Sequence, residues 1–255
     1  TLDLSRYFGN TGLYYLNHLA YSLKKQKLCL PPKSILAFYP HNFAAYGYIF
    51  NGILSPYLDD SIYWTISKFL SNPKNFPWTL DINQDLKIIN VNDFKKYLSL
   101  NQKIGIVPGG FYDATLTQYQ QINCYISLGS IKYSIDYEYN YIPVFTFGEE
   151  NFYYQYHKTN NYLSTIEEKI LHKLNIPTIF PKDNLLISGQ NKTLITLIGI
   201  PINCSNGDIR DIQNEIERQI NYLYKLSCKY FNNQSKLKIH LEDINGEQKE
   251  KKIKR

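Results

Sequence analysis

The sequence contains no methionine. Thr1 is therefore not a start-codon product, and the composition predicts a longer native polypeptide upstream. No run of about 18 apolar residues occurs, so no spanning helix is expected within these residues. A mean hydropathy of −0.37 excludes a polytopic membrane protein. Cysteine is scarce, and none of Cys29, Cys124, Cys204 and Cys228 forms a C-x-x-C pair. That spacing argues against a metal site and a disulfide scaffold, and it favours a reducing compartment. There is no G-x-G-x-x-G, P-loop, G-x-S-x-G or H-E-x-x-H, which removes the common nucleotide-binding, serine-hydrolase and zinc-protease readings. Charge of one sign is also scarce. The 28 Lys+Arg against 22 Asp+Glu leave +6, and the last seven residues hold Lys249, Lys251, Lys252, Lys254 and Arg255. The remaining body is near neutral and shows no basic stripe, so no nucleic-acid partner is expected. The basic tail reads as a frayed terminus. Contact with anionic lipid, at about 1 kcal/mol per basic residue, is its second use.

What is present points to a globular domain. The chain has 255 residues, 44% hydrophobic and 15% aromatic, too apolar for disorder and of a size for one domain spanning 1–255. Apolar runs rich in β-branched residues at 34–39, 86–90, 103–107, 141–147 and 194–200 read as strands. Helical patterns are expected over 43–54, 60–70, 93–100 with Asn92 as N-cap, 131–139, 162–174 and 209–230. The last has Ile209, Ile212, Ile216, Ile220 and Leu223 on one face, followed by the basic tail. Residues 1–30 form a loosely amphipathic lead-in, and 175–193 an excursion loop. Alternating strands and helices predict an α/β fold with a largely parallel, mixed central sheet flanked by helices.

Two sites gain weight together. The first strand runs into Pro40-His41, and open α/β sheets bind ligands at the carboxyl ends of their strands. An imidazole there can accept a proton at neutral pH. The third strand ends in Pro108-Gly109-Gly110, and Asp113 follows within a turn. Glycine amides can receive a developing oxyanion. Separately, these are a structural histidine and a tight loop with a capping Asp. On one rim, His41 and Asp113 become a base and its orienter.

The order of blocks resembles the type-2 diacylglycerol acyltransferase family, which includes monoacylglycerol acyltransferases and related wax-ester synthases. Tyr39-Pro40-His41-Asn42 is similar to its His-Pro-His-Gly block, and Gly109-Gly110-Phe111-Tyr112-Asp113 to its Gly-Gly-x-x-Glu block. The stretch from Tyr141 to Tyr153, with Phe147-Gly148-Glu149-Glu150-Asn151, is similar to Leu-Val-Pro-x-x-x-Phe-Gly-Glu-Asn. Gly199-Ile200-Pro201-Ile202 is similar to a later Gly-x-Pro-Ile. The resemblance covers about 34–203 and implies a glycerolipid-acyltransferase-like fold.

It further implies transfer of a fatty acyl group from acyl-CoA to a hydroxyl of a neutral lipid. Diacylglycerol is the first expectation, with monoacylglycerol or a long-chain alcohol as alternatives. No cofactor is implied beyond acyl-CoA as co-substrate. His41 and Asp113 fall at the implied catalytic positions. Tyr39, Pro40, Asn42, Gly109, Gly110, Glu149 and Asn151 fall at implied substrate-binding ones. The implied location is the cytosolic face of a membrane, endoplasmic reticulum or lipid droplet in a eukaryotic host, with a membrane hairpin upstream. Four positions depart from the pattern. Tyr39 replaces the first histidine, Asn42 the glycine, Asp113 the glutamate, and Ser127 falls where the family has arginine. These departures leave a non-catalytic lipid- or acyl-CoA-binding relative as the alternative. A glycerophosphate acyltransferase of the His-x-x-x-x-Asp kind is disfavoured, because Tyr46 stands where the acid would be and 109–132 contains no Arg.

Overall fold

The computed structural model describes residues 11–17, 20–22, 30–42, 45–53, 55, 58, 61–66, 87–115, 120–151, 153–155, 179–181, 194–243 and 248–252. Five parallel strands form its centre, in the order β8 (Asn140–Phe147), β3 (Ser34–Tyr39), β6 (Ile104–Ile106), β4 (Tyr63–Ile66) and β5 (Ile88–Asn90). Beyond β8 the sheet becomes mixed. β11 (Leu194–Ile198) and the short β12 (Ile202–Asn203) run antiparallel to β8. β1 (Thr11–Asn17) lies parallel to β11, and β2 (Ala20–Ser22) pairs antiparallel with β1. A two-stranded ribbon joins β9 (Tyr153–Gln155) to β10 (Ile179–Pro181).

Both faces of the sheet are covered, which explains the unbroken apolar runs of β3 and β8. On one face Ile35, Ala37, Tyr39, Tyr141, Phe145 and Phe147 join a large core. Its cover is α2 (Phe94–Ser99), α4 (Leu128–Asp136), α5 (Ile209–Phe231) and a second sheet. On the other face Leu36, Phe38, Ile142 and Val144 pack with Tyr48, Ile62 and Trp64. Tyr48 closes the short α1 (Tyr46–Tyr48), which continues as one π turn through Ile53. The Trp64 indole lies over Gly105 of β6, in the space that a Cβ there would occupy.

The second sheet is β14 (Gln248–Lys252), β13 (Lys236–Glu242) and β7 (Gln121–Ile126), with β13 parallel to β7. Leu237, Ile239 and Leu241 alternate inward against Ile122, Cys124 and Ile126. Part of the tail expected to fray, Gln248–Lys252, is therefore a strand. Its strand satisfies the outer edge of β13.

The α/β class holds, and several local expectations change. The helix expected over 60–70 is replaced in part by strand β4, because Tyr63, Trp64, Thr65 and Ile66 are aromatic and β-branched and pair with β6. Part of the amphipathic lead-in is the β1–β2 hairpin, which joins the central sheet through β11. Asn92 is not the N-cap expected. Its own amide donates to Asn90 Oδ1 at 2.9 Å, capping a 3-10 turn over Val91–Asp93 before α2. The helix expected over 131–139 begins three residues earlier, at Leu128. The expectations over 162–174, and most of 175–193, lie outside the described residues.

The last expected helix forms as α5, with Ile212, Ile216, Ile220 and Leu223 buried. Asp208 caps it, accepting from Arg210 N at 2.7 Å and Asp211 N at 3.3 Å. Asn232 closes it in the left-handed region at φ 53°. Asp208→Ala is expected to cost about 1 kcal/mol, a fall of roughly 2–4 °C in a calorimetric midpoint. No described helix is long and apolar enough to cross a membrane.

Candidate active site

β8, β3 and β6 are adjacent and parallel, so their carboxyl ends share one rim. β3 delivers Pro40-His41-Asn42 to that rim, β6 delivers Pro108-Gly109-Gly110, and β8 delivers Gly148 to Asn151. The structure thus brings together the three blocks that the sequence singles out.

His41 is held through its neighbours. The Tyr39–Pro40 peptide is cis, and Asn42 is buried with φ 51°. The His41 Nδ1 lies 2.5 Å from the Asn42 carbonyl oxygen. A carbonyl only accepts, so this contact places the ring proton on Nδ1 and leaves the Nε2 lone pair open. Burial lowers the imidazole pKa below its usual 6.5, partly offset by the Asn42 carbonyl. The ring is a neutral base at pH 7.

Asp113 lies in α3 (Gly110–Thr115), buried beneath the same turn. Its carboxylate does not take the expected place on the imidazole. Oδ2 accepts from the His41 backbone amide at 3.3 Å, and the Tyr125 amide also donates to the carboxyl. Asp113 therefore fixes the loop that carries His41, and the Asn42 carbonyl sets the tautomer. Burial pushes the Asp113 carboxyl up to about 8, against the pull of the two amides.

The two glycines have different reasons to be glycine. A Cβ on Gly109 would overlap the Asp113 carboxyl, while Gly110 has φ +49°. The Gly110 amide donates to the Val107 carbonyl at 3.1 Å, so it is not the oxyanion donor expected; Gly109 N–H is the remaining candidate. Gly109→Ala should displace Asp113, loosen the His41 loop, and lower stability by about 1–3 kcal/mol in urea titration.

The other predicted residues are spread around this centre. Tyr39 is buried in the core, its hydroxyl 2.6 Å from the Tyr141 hydroxyl, which reaches Ser130 Oγ at 3.3 Å. Pro40 is also buried. Glu149 turns toward α1, where its Oε2 accepts from Gly47 N at 3.4 Å. Asn151 is exposed and lines a cavity of about 420 Å³. Glu150, which sequence reasoning passed over, lines that cavity from the opposite side of the sheet to Glu149. Parity along β8 misleads here. Phe145 and Phe147 face the α5 side, so a period of two would send residue 149 there as well. Gly148, at φ 106°, turns the chain and sends Glu150 there instead.

No protein-family model and no curated protein matches the sequence. The fold is similar to the crystal structure of the 1-acyl-sn-glycerophosphate (LPA) acyltransferase PlsC from Thermotoga maritima. The TM-score is 0.50 at 9% identity, over 86% of this chain and 73% of that chain. The chain therefore has a glycerolipid-acyltransferase fold.

Proposed function

We propose that the chain is an O-acyltransferase that moves a fatty acyl group from acyl-CoA to a hydroxyl of a neutral lipid at a membrane surface. One observation carries this reading: His41, in the basic tautomer, stands at the carboxyl end of β3 in an acyltransferase fold. His41 Nε2 takes the proton from the acceptor hydroxyl as its oxygen attacks the thioester carbonyl carbon. The Gly109 amide is the candidate donor to the oxyanion of the tetrahedral intermediate. The carbon–sulfur bond then breaks, and the imidazolium returns the proton to the departing thiolate. The products are the ester and free CoA. A thioester is already activated, so no covalent enzyme intermediate is needed. The preference for an uncharged acceptor rests on the absence of arginine from 109–132, beside the candidate centre.

The test uses the full-length protein in liposomes with radiolabelled oleoyl-CoA and diacylglycerol, monoacylglycerol or hexadecanol. Labelled ester from one of these acceptors is expected. No ester from any of them overturns the proposal.

One observation favours the non-catalytic alternative. At Ser127, where the family arginine is expected, the start of α4 is occupied by the chain's own carboxylate: Glu242 Oε2 accepts from Leu128 N at 2.7 Å. An acidic group at that position disfavours a second anion there. Under this reading oleoyl-CoA binds in equilibrium dialysis and is not consumed with any acceptor.

A further inference from the structure

Two residues just after His41 stand in the left-handed region, Asn42 at φ 51° and Ala45 at φ 52°. Asparagine tolerates that region. Alanine is strained there, because its Cβ crowds the following carbonyl oxygen. Such conformations persist only where the surroundings over-determine them. On the near side the anchor is Asp113, which accepts from the His41 amide at 3.3 Å. On the far side stands α1, tied to Ala45 by Ile49 N, which donates to the Ala45 carbonyl at 2.9 Å.

α1 is fastened to the sheet on two sides. The Tyr48 hydroxyl lies 2.9 Å from the carbonyl oxygens of Thr65 and Gly105, on β4 and β6. Toward β8 the contact is made by Gly47. It packs directly on Thr146, whose side chain fills the space that a Cβ would need. The Thr146 hydroxyl is bonded at 2.8 Å to that of Thr196 on β11. The hold on α1 from this side comes from Glu149, whose Oε2 accepts from the Gly47 amide at 3.4 Å. Glu149 is 1% exposed, which keeps its carboxyl from a bound substrate.

We infer that Glu149 is a positioning residue for His41: it fixes α1 through the Gly47 amide, as Asp113 fixes the His41 amide, and its charge takes no part in binding or chemistry. The two acids thus hold the strained stretch from both ends. The link to the ring is the Asn42 carbonyl, which places the imidazole proton on Nδ1. That carbonyl belongs to the peptide leading toward α1, so a shift of α1 turns it. This role differs from the substrate contact that the family resemblance implies for Glu149. It rests on the acyl-transfer reading for its effect on turnover, and on geometry alone for its effect on the ring.

Two variants test it. Glu149→Gln keeps an oxygen for the Gly47 amide and removes the charge. Glu149→Asp keeps the charge and falls one methylene short of the amide. The full chain, with isotope-labelled histidine, is studied by NMR at neutral pH, and the His41 ring signals are identified by their loss in His41→Gln. Their shifts report which ring nitrogen carries the proton. The parent chain and Glu149→Gln are expected to hold it on Nδ1. Glu149→Asp should raise the Nε2–H form to at least about a tenth of the population. Acyl transfer is measured on the same proteins, with radiolabelled oleoyl-CoA and the acceptor that yields ester. Glu149→Asp should lower kcat by about ten- to a hundredfold, with KM changed by less than about twofold. Glu149→Gln should stay within about threefold of the parent. A His41 ring that is unmoved in Glu149→Asp overturns the inference. So does a loss in Glu149→Gln as large as in Glu149→Asp, which would mean that the charge is needed. If Glu149→Asp does not fold, Glu149→Gln decides alone: a parent-like ring and turnover support the inference, and a change in either overturns it. The acyl-transfer reading fails separately. Absence of turnover in the parent chain removes the enzyme, and the ring signals still decide the role of Glu149.

Discussion

His41→Gln is expected to lower acyl transfer by about a thousandfold while leaving the fold intact. General-base catalysis contributes roughly 10²–10⁴ in rate, and no other described imidazole stands on this rim. Glutamine can donate to the Asn42 carbonyl in place of Nδ1–H, so the loop keeps its anchor while the base is removed. The pH profile carries a second part of this expectation. Burial holds the imidazole pKa below 6.5, so the acid limb of kcat/KM should fall below that value. Activity should stay flat from there through neutrality. Steady-state rates across pH 5–8 check this. Undiminished turnover in His41→Gln would remove the mechanism and leave the fold assignment standing.

The sequence announces the rim better than it announces the chemistry on it. β3, β6 and β8 are legible because buried parallel strands are apolar on both faces, as Ile35 to Tyr39 and Tyr141 to Phe147 show. Their Pro-His and Pro-Gly-Gly ends stand out for the same reason, as polar or flexible breaks after apolar runs. β7 and β13 are less visible. Leu237, Ile239 and Leu241 alternate cleanly, yet their partners Ile122, Cys124 and Ile126 lie more than a hundred residues earlier. No local pattern encodes that pairing. The arrangement of His41 and Asp113 was beyond reach for another reason. Whether a carboxyl meets an imidazole or the backbone amide of the same residue depends on a left-handed Asn42 and a cis Tyr39–Pro40 bond. Sequence order places the groups on one rim and says nothing of which atoms touch. Glu150 has no counterpart in the family's Phe-Gly-Glu-Asn block, where Glu149 takes the single acid's place, and nothing in the sequence shows that the turn at Gly148 carries Glu150 to the α5 side.

Asp113→Asn should cost activity far less than His41→Gln, within about tenfold, and should change how stability depends on pH. In a triad of the serine-protease kind, replacing the acid by its amide costs about 10⁴ because the imidazole takes the wrong tautomer. Here the Asn42 carbonyl sets the tautomer, and the acid serves the His41 and Tyr125 amides, which an asparagine oxygen can still accept. Burial raises the Asp113 pKa from 3.8 to about 8, so between those values the folded chain holds a proton that the unfolded chain has released. Raising pH then favours unfolding, by at most about 1.4 kcal/mol per pH unit from this carboxyl. Glu150, also raised by burial, acts with the same sign. His41 acts with the opposite sign below 6.5, because its proton is bound more weakly in the folded chain. Above about 6.5 the His41 contribution fades as the unfolded imidazole loses its proton, and it cancels when the parent chain is compared with Asp113→Asn. Neighbouring Tyr39 and Cys124, both pushed up by burial, stay protonated from about 6.5 to about 8. Urea titrations at pH 6.5, 7.2 and 8 should show stability falling in the parent chain and a shallower fall in Asp113→Asn. Equal slopes would mean that Asp113 is ionised in the folded state. In that case a thousandfold loss of activity in Asp113→Asn would return the carboxyl to the imidazole.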